Sequence, residues 1–176
     1  MITFIVLLKG INVGGHKKVP MAELRLLLNE KGFESVQTYI QSGNVILKSS
    51  RSKVEIEQTI KEAILTHFGF EVSVLALLRK DLQTIFDQCP YEEKIKKASY
   101  FMMLHDQPEP DDLKNALEKT YEGEDYHIIN SCIYYYSSKG FGQSKFNVNF
   151  FERKFKTFAT ARNYNTMVKL LSLSAE

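Results

Sequence analysis

Cysteine is scarce: Cys89 and Cys132 stand far apart in the 176 residues and form no CxxC. That excludes the spaced-thiol zinc and redox motifs and predicts buried or incidental thiols in a reducing compartment. The four histidines, His16, His67, His105 and His127, show neither HExxH nor paired spacing, so neither metal nor cofactor is expected. No GxSxG-type nucleophile motif is present either. Long apolar runs are also missing. None approaches the ~20 residues that a membrane helix needs. Met1 leads straight into the strand-like residues 3–8 without a signal-peptide plan, so the expectation is a cytoplasmic protein with no membrane partner. An excess of one charge is absent too, since 23 basic residues face 21 acidic ones and the net charge is +2. A nucleic-acid partner would therefore have to rest on a local patch rather than on the field of the whole chain. Basic residues cluster at Lys9, His16, Lys17 and Lys18, at Lys48, Arg51 and Lys53, and at Arg153, Lys154 and Lys156, the last as the solvated face of a helix.

What is present is apolar substance, at 44% of residues, enough for the chain to fold without staples as one compact unit or two small modules. Residues 3–8 read as a buried strand. Pro20 to Lys31 read as a helix with Met21, Leu24, Leu27 and Leu28 on one face and Gly32 as its stop. Val36–Ile40 and Val45–Lys48 form a hairpin around Ser42-Gly43-Asn44, with Gly43 and Asn44 tolerating positive φ. Ser52-x-x-Glu55 is a capping box that opens a helix with Ile56, Ile60, Ala63, Ile64 and Phe68 inward, closed by Gly69. Val72–Leu78 supplies a further strand. The order β-α-β-β-α-β is the ferredoxin-like plan.

The second half repeats that order at nearly equal spacing. Tyr100–Leu104 is a strand and Asp111–Thr120 a helix with Leu113, Ala116 and Leu117 inward. Tyr126–Ile129 and Ile133–Ser137 are a second hairpin, and a helix opens at Ser144-Lys145 as the earlier one opened at Ser52-Lys53. Asp81–Gln88, Pro90–Lys97 and the terminal Tyr164–Leu173 helix are additions. The expected fold class is α+β, two tandem ferredoxin-like (α/β plait) repeats packed as one compact protein. Residues 1–80 form the first repeat, 81–97 a connecting helix and linker, and 98–176 the second repeat with the C-terminal helix. Phe4–Leu8 and Val74–Leu78 do not alternate apolar with polar, so both faces of their sheet must be covered.

Three stretches are candidates for chemistry. Lys9 to Lys18, between the first strand and helix, combines glycines that let a ligand approach the backbone with amides and ammonium groups suited to an anion. It matches neither the Walker A loop nor GxGxxG, and a solvated Gly-rich turn is the alternative. Lys139 to Phe146 only partly matches an RNA-recognition signature, which fails because Gln143 and Ser144 replace its Phe-Val core. Gly140-x-Gly142-x-Ser144-Lys145 instead offers amides, a hydroxyl and an ammonium at a helix start, or else a connection and an N-cap. In Thr160 to Thr166, Asn or Thr can cap the final helix, while Arg162 suits bidentate carboxylate or phosphate recognition or a structural salt bridge.

Lys9–Gly15, Val19–Arg25, Thr38–Val45 and Thr160–Thr166, taken together and in order, resemble the bacterial family known as domain of unknown function 1697, over nearly the whole chain. The resemblance implies two ferredoxin-like plaits in tandem and no established activity. The family commonly has Arg where Lys9 stands and Trp where Tyr164 stands, so this chain loses a planar fork and an indole N–H there. The leading expectation is a module binding a small anionic ligand: a nucleotide, a phosphometabolite or a nucleic-acid backbone. Lys9, Asn12, Gly14, Gly15, Lys17, Ser144, Lys145, Arg162 and Asn163 would converge on it. A scaffold protein, monomeric or dimeric through a sheet edge, and an enzyme using Lys9 or His16 as general acid or base are the alternatives.

Overall fold

The computed structural model describes residues 1–140 and 144–175. The fold is mixed α+β, with two four-stranded antiparallel sheets and seven helices among the described residues. Contacts divide the chain into two compact units, Met1–Gln83 with Lys169–Glu176, and Thr84–Val168.

In the first unit the order is β1 (Ile2–Leu8), α1 (Met21–Glu30), β2 (Glu34–Tyr39), β3 (Asn44–Ser49), α2 (Lys53–Phe68) and β4 (Val74–Leu78). The strands lie in the order β2-β3-β1-β4, with Val6 of β1 opposite Val45 and Ala76. Phe4, Val6 and Leu8 pack with Leu24 and Leu28 of α1 and with Ile56, Ile60 and Ile64 of α2, the inward residues that helical periodicity marks out. Ile5, Leu7, Ile46, Leu75 and Leu77, of opposite parity on their strands, are buried as well, as the unbroken apolar runs require. Each such side chain, fully buried, stabilises the fold by roughly 1.5–3 kcal/mol.

Local signals set the ends of α2. Ser52 Oγ accepts from Glu55 N at 3.3 Å while Glu55 Oε2 accepts from Ser52 N at 2.8 Å, and Gly69 closes the helix with φ 80°. One inward position of α2 is polar: Glu57 is buried and its Oε1 accepts from the Ala76 amide at 2.8 Å. Ala76 lies on β4, an edge strand of the sheet, so the carboxylate occupies an amide with no strand partner on that side.

At the β2–β3 turn the expectation is half right. Gly43 has φ 78°, and a Cβ there would stand 2.7 Å from Leu8 Cβ, so glycine is required by space as well as by conformation. Asn44 does not share the positive φ; Ile40 takes it, at 49°. Asn44 instead opens β3 fully buried, its Nδ2 donating to Tyr39 O at 3.1 Å and Ser42 Oγ at 3.0 Å.

After α3 (Arg79–Asp87) and α4 (Glu93–Lys97), the second sheet comprises β5 (Tyr100–Leu104), β6 (Glu124–Ile129), β7 (Cys132–Ser137) and β8 (Ala159–Asn163), in the order β6-β7-β5-β8. Helices α5 (Pro110–Ala116) and α6 (Val148–Phe155) interrupt it, and α7 (Tyr164–Leu173) follows. Three expectations change here. Helix α5 stops at Ala116 and Leu117 is 49% exposed, because the Tyr126 hydroxyl reaches under the end of the helix, 3.0 Å from Ala116 O and 2.5 Å from Lys119 O. Helix α6 opens at Val148, not at Ser144, with Asn147 Oδ1 accepting from Phe150 N at 3.3 Å. Residues 159–163, expected only to supply a cap for the final helix, also form a strand: β8 pairs along β5 with Arg162 opposite Phe101, and the ladder makes a strand of a short segment with little apolar substance.

Candidate functional site

The glycines of the first loop have a backbone explanation. Val13 and His16 form an isolated bridge, His16 N donates to Val13 O at 3.0 Å, and Gly14 and Gly15 between them have φ 58° and 79°. Positive φ at both central positions is what a tight reversal matched to strand twist demands. Asn12 holds the base of this loop, its Nδ2 donating to Val19 O at 3.0 Å and Gln41 O at 2.8 Å while Oδ1 accepts from Val19 N at 2.8 Å. That amide thus serves the loop itself.

Beside the loop opens a cavity of about 640 Å³. Lys9, Gly10 and Lys17 form one wall. Gln58, Lys61, Glu62 and Leu65 form another, an i, i+3, i+4, i+7 stripe on the side of α2 away from its apolar face. Glu71, Val72 and Ser73, leading into β4, complete it. All these residues belong to the first unit. Two hydrogen bonds fix the geometry: Lys9 N donates to Ser73 O at 3.0 Å, and Lys17 Nζ donates to Glu71 O at 2.7 Å, tying the loop to the approach to β4. On the helix wall Gln58 Nε2 donates to Glu62 Oε1 at 2.5 Å. Three lysines and two glutamates therefore line one space of the size that takes a small molecule.

Of the nine residues singled out from sequence, Lys9 and Lys17 line this cavity. Ser144, Lys145, Arg162 and Asn163 belong to the second unit. Ser144 Oγ accepts from the Tyr135 hydroxyl at 2.6 Å and from Phe146 N at 3.0 Å, and Lys145 N donates to Glu124 Oε1 at 2.6 Å. Phe141, Gly142 and Gln143, of the expected Gly140–Lys145 turn, lie outside the described residues. Arg162 is buried, with Nη1 donating to Thr160 Oγ1 at 2.7 Å and Ala161 O at 2.8 Å, and burial pushes its guanidinium down to about 10. Asn163 caps α7, its Oδ1 accepting from Thr166 N at 2.9 Å. Residues of the helix wall, Lys61 and Glu62 above all, escaped the sequence reading. The available signal was the polar stripe at helical spacing opposite Ile56, Ile60 and Ile64.

Among the described residues no group of three or more His, Cys, Asp and Glu side chains is arranged to hold a metal ion. No helix among them is long and apolar enough to cross a membrane. Both cysteines are free, and burial pushes the Cys132 thiol well up.

No match is found among the curated proteins. The structure is similar over 98% of both chains to that of a conserved bacterial protein from Streptococcus pneumoniae, with a TM-score of 0.78 and 25% sequence identity. The family model described as "Protein of unknown function (DUF1697)" matches residues 1–134, so with the glycine loop, the Gly43 turn and the first sheet all inside the matched span, the chain belongs to that family.

Proposed function

We propose that the first unit is a binding module for a small anionic ligand, held in the cavity between the Lys9–Lys17 loop and α2. The observation that carries this reading is the meeting of Lys9, Lys17 and Lys61 around one space. Lysines from separate segments bring three positive charges to one space, against two carboxylates, in a chain whose net charge is only +2. The left-handed turn at Gly14-Gly15 holds the loop's shape, and the Lys17 bond to Glu71 O fixes the loop against β4, so the order needed for binding is already built.

We also read the two halves as ferredoxin-like repeats. Support comes from the matched strand orders β2-β3-β1-β4 and β6-β7-β5-β8 and from equivalent stitches at the ends of the leading strands. Leu8 N donates to Gly43 O and Leu104 N to Ser131 O, both at 2.8 Å, while Lys9 N donates to Ser73 O and His105 N to Phe158 O at 3.0 and 2.9 Å. In both halves a glutamate on the second helix receives an amide of the fourth strand: Glu57 from Ala76 at 2.8 Å, Glu152 from Ala159 at 2.6 Å.

A thermal-shift titration with pyrophosphate tests the binding reading, since a ligand at 100-fold its Kd stabilises by about 2.7 kcal/mol. The expected result is a rise in Tm that Lys9→Ala and Lys61→Ala each reduce and that added salt weakens. An unchanged Tm with millimolar pyrophosphate, with inorganic phosphate and with a phosphate monoester, each tested separately at low chloride, refutes it.

A further inference from the structure

The cavity is not uniformly basic, and its acidic members narrow the ligand class. Glu62 on α2 and Glu71 before β4 share the space with Lys9, Lys17 and Lys61. A carboxylate beside an anion-binding lysine raises the cost of placing negative charge, so a site meant for an extended phosphate chain excludes such groups. Carboxylates are acceptors only, and what they add to a site is a demand for ligand donors such as hydroxyl or amino groups. Their distribution matters as well. Glu62 is held by the Gln58 amide at 2.5 Å and lies one residue from Lys61, while Glu71 gives its backbone carbonyl to Lys17. Each acidic residue therefore has a basic neighbour, Glu62 along the helix and Glu71 through its backbone, so residues of both signs line the one space. Leu65, one turn beyond Lys61 on the same stripe, is exposed and adds an apolar surface to the wall.

Resting on the anion-binding reading above, we infer that the ligand is a compact monoester of phosphate with a hydroxylated body, a sugar phosphate in class, and not a nucleic-acid backbone. The ester's phosphate is met by the lysines, and its hydroxyl groups donate to Glu62 and Glu71. A space of about 640 Å³ accommodates such a molecule, and its carboxylates oppose a polymer of one negative charge.

Isothermal titration of the whole protein with four probes tests this: glucose 6-phosphate, inorganic phosphate, glucose and a twelve-residue deoxythymidine oligonucleotide. Glucose 6-phosphate is expected to bind at least tenfold tighter than inorganic phosphate, with glucose and the oligonucleotide weaker still. Glu62→Gln and Glu71→Gln, both on exposed residues and checked for unchanged Tm, are expected to lower glucose 6-phosphate affinity three- to tenfold while leaving inorganic phosphate equal or tighter. If inorganic phosphate and glucose 6-phosphate bind equally, or if the glutamine variants tighten both, the sugar-phosphate inference falls and the anion reading stands. Tightest binding by the oligonucleotide, lost in Lys61→Ala, overturns the inference in favour of a backbone ligand. If no phosphorylated probe binds, both readings fall together.

Discussion

The two units put different side chains on the same backbone exit. Lys9 and His105 each follow the leading strand of a sheet and each donates a backbone N–H across to the segment before the fourth strand. In the first unit the side chains at that exit border a cavity. In the second they are stitched to one another: His105 Nδ1 lies 2.9 Å from Asp106 Oδ2, Thr157 Oγ1 donates to the same oxygen at 2.9 Å, and the His105 ring lies 5.0 Å from that of Phe158. A shared scaffold does not imply a shared site, because the strand end fixes only where the side chains start.

The largest expected effect tests the turn that receives the leading strand. Gly43→Ala places a Cβ 2.7 Å from Leu8 Cβ at φ 78°, combining overpacking with backbone strain, and should cost about 3 kcal/mol in urea unfolding. Ser131, whose carbonyl receives Leu104 N in the second unit, is not among the positive-φ residues, so Ser131→Ala should stay within about 0.5 kcal/mol. Equal costs at the two positions would break the contrast.

Next come the glutamates at the fourth strands. Glu57→Ala leaves the Ala76 amide without its acceptor inside the fold and should cost about 2 kcal/mol. Glu152→Ala is expected to cost about 1 kcal/mol, since Glu152 is less buried than Glu57. Hydrogen exchange, accelerated at Ala76 and at Ala159 in the respective variants, locates each loss.

The smallest effect separates the units by pH. Hydrogen bonds from the Ser52 side chain and backbone hold the Glu55 carboxyl below its ordinary 4.5, and bonds from His105 and then Thr157 hold Asp106 below its ordinary 3.8. A depressed folded value means that the carboxylate's contribution is present above the unfolded value and is lost as pH falls through the folded one. Glu55→Gln should therefore flatten the loss of stability that begins near pH 4.5, and Asp106→Asn the part that begins near pH 3.8. Acid titration of the three proteins by circular dichroism checks the order, and a Glu55→Gln curve superposing on that of the parent would contradict it.

How much of this was legible in the sequence varies with how local the signal is. Ser52, Glu55 and Gly69 announced both ends of α2 because a capping box and a left-handed stop are interactions within one turn. The strand at 159–163 was not legible, since its alternation rests on two small residues, Ala159 and Ala161, between Thr160 and Arg162, and the β5 ladder is what explains it. The same limit governs the site. Lys9 and Lys17 stood out beside glycines, whereas Lys61 and Glu62 looked like any solvated helix face until β4 and the loop came alongside.

By itself the sequence determined the order of elements and the inward face of each long helix in the first half, and the need for glycine at the tight turns, because periodicity, caps and positive φ act over a few residues. Which charged groups meet was decided only by the tertiary structure. Lys17 and Glu71 are far apart along the chain and become neighbours when β4 pairs with β1, and no pattern within either segment encodes that pairing.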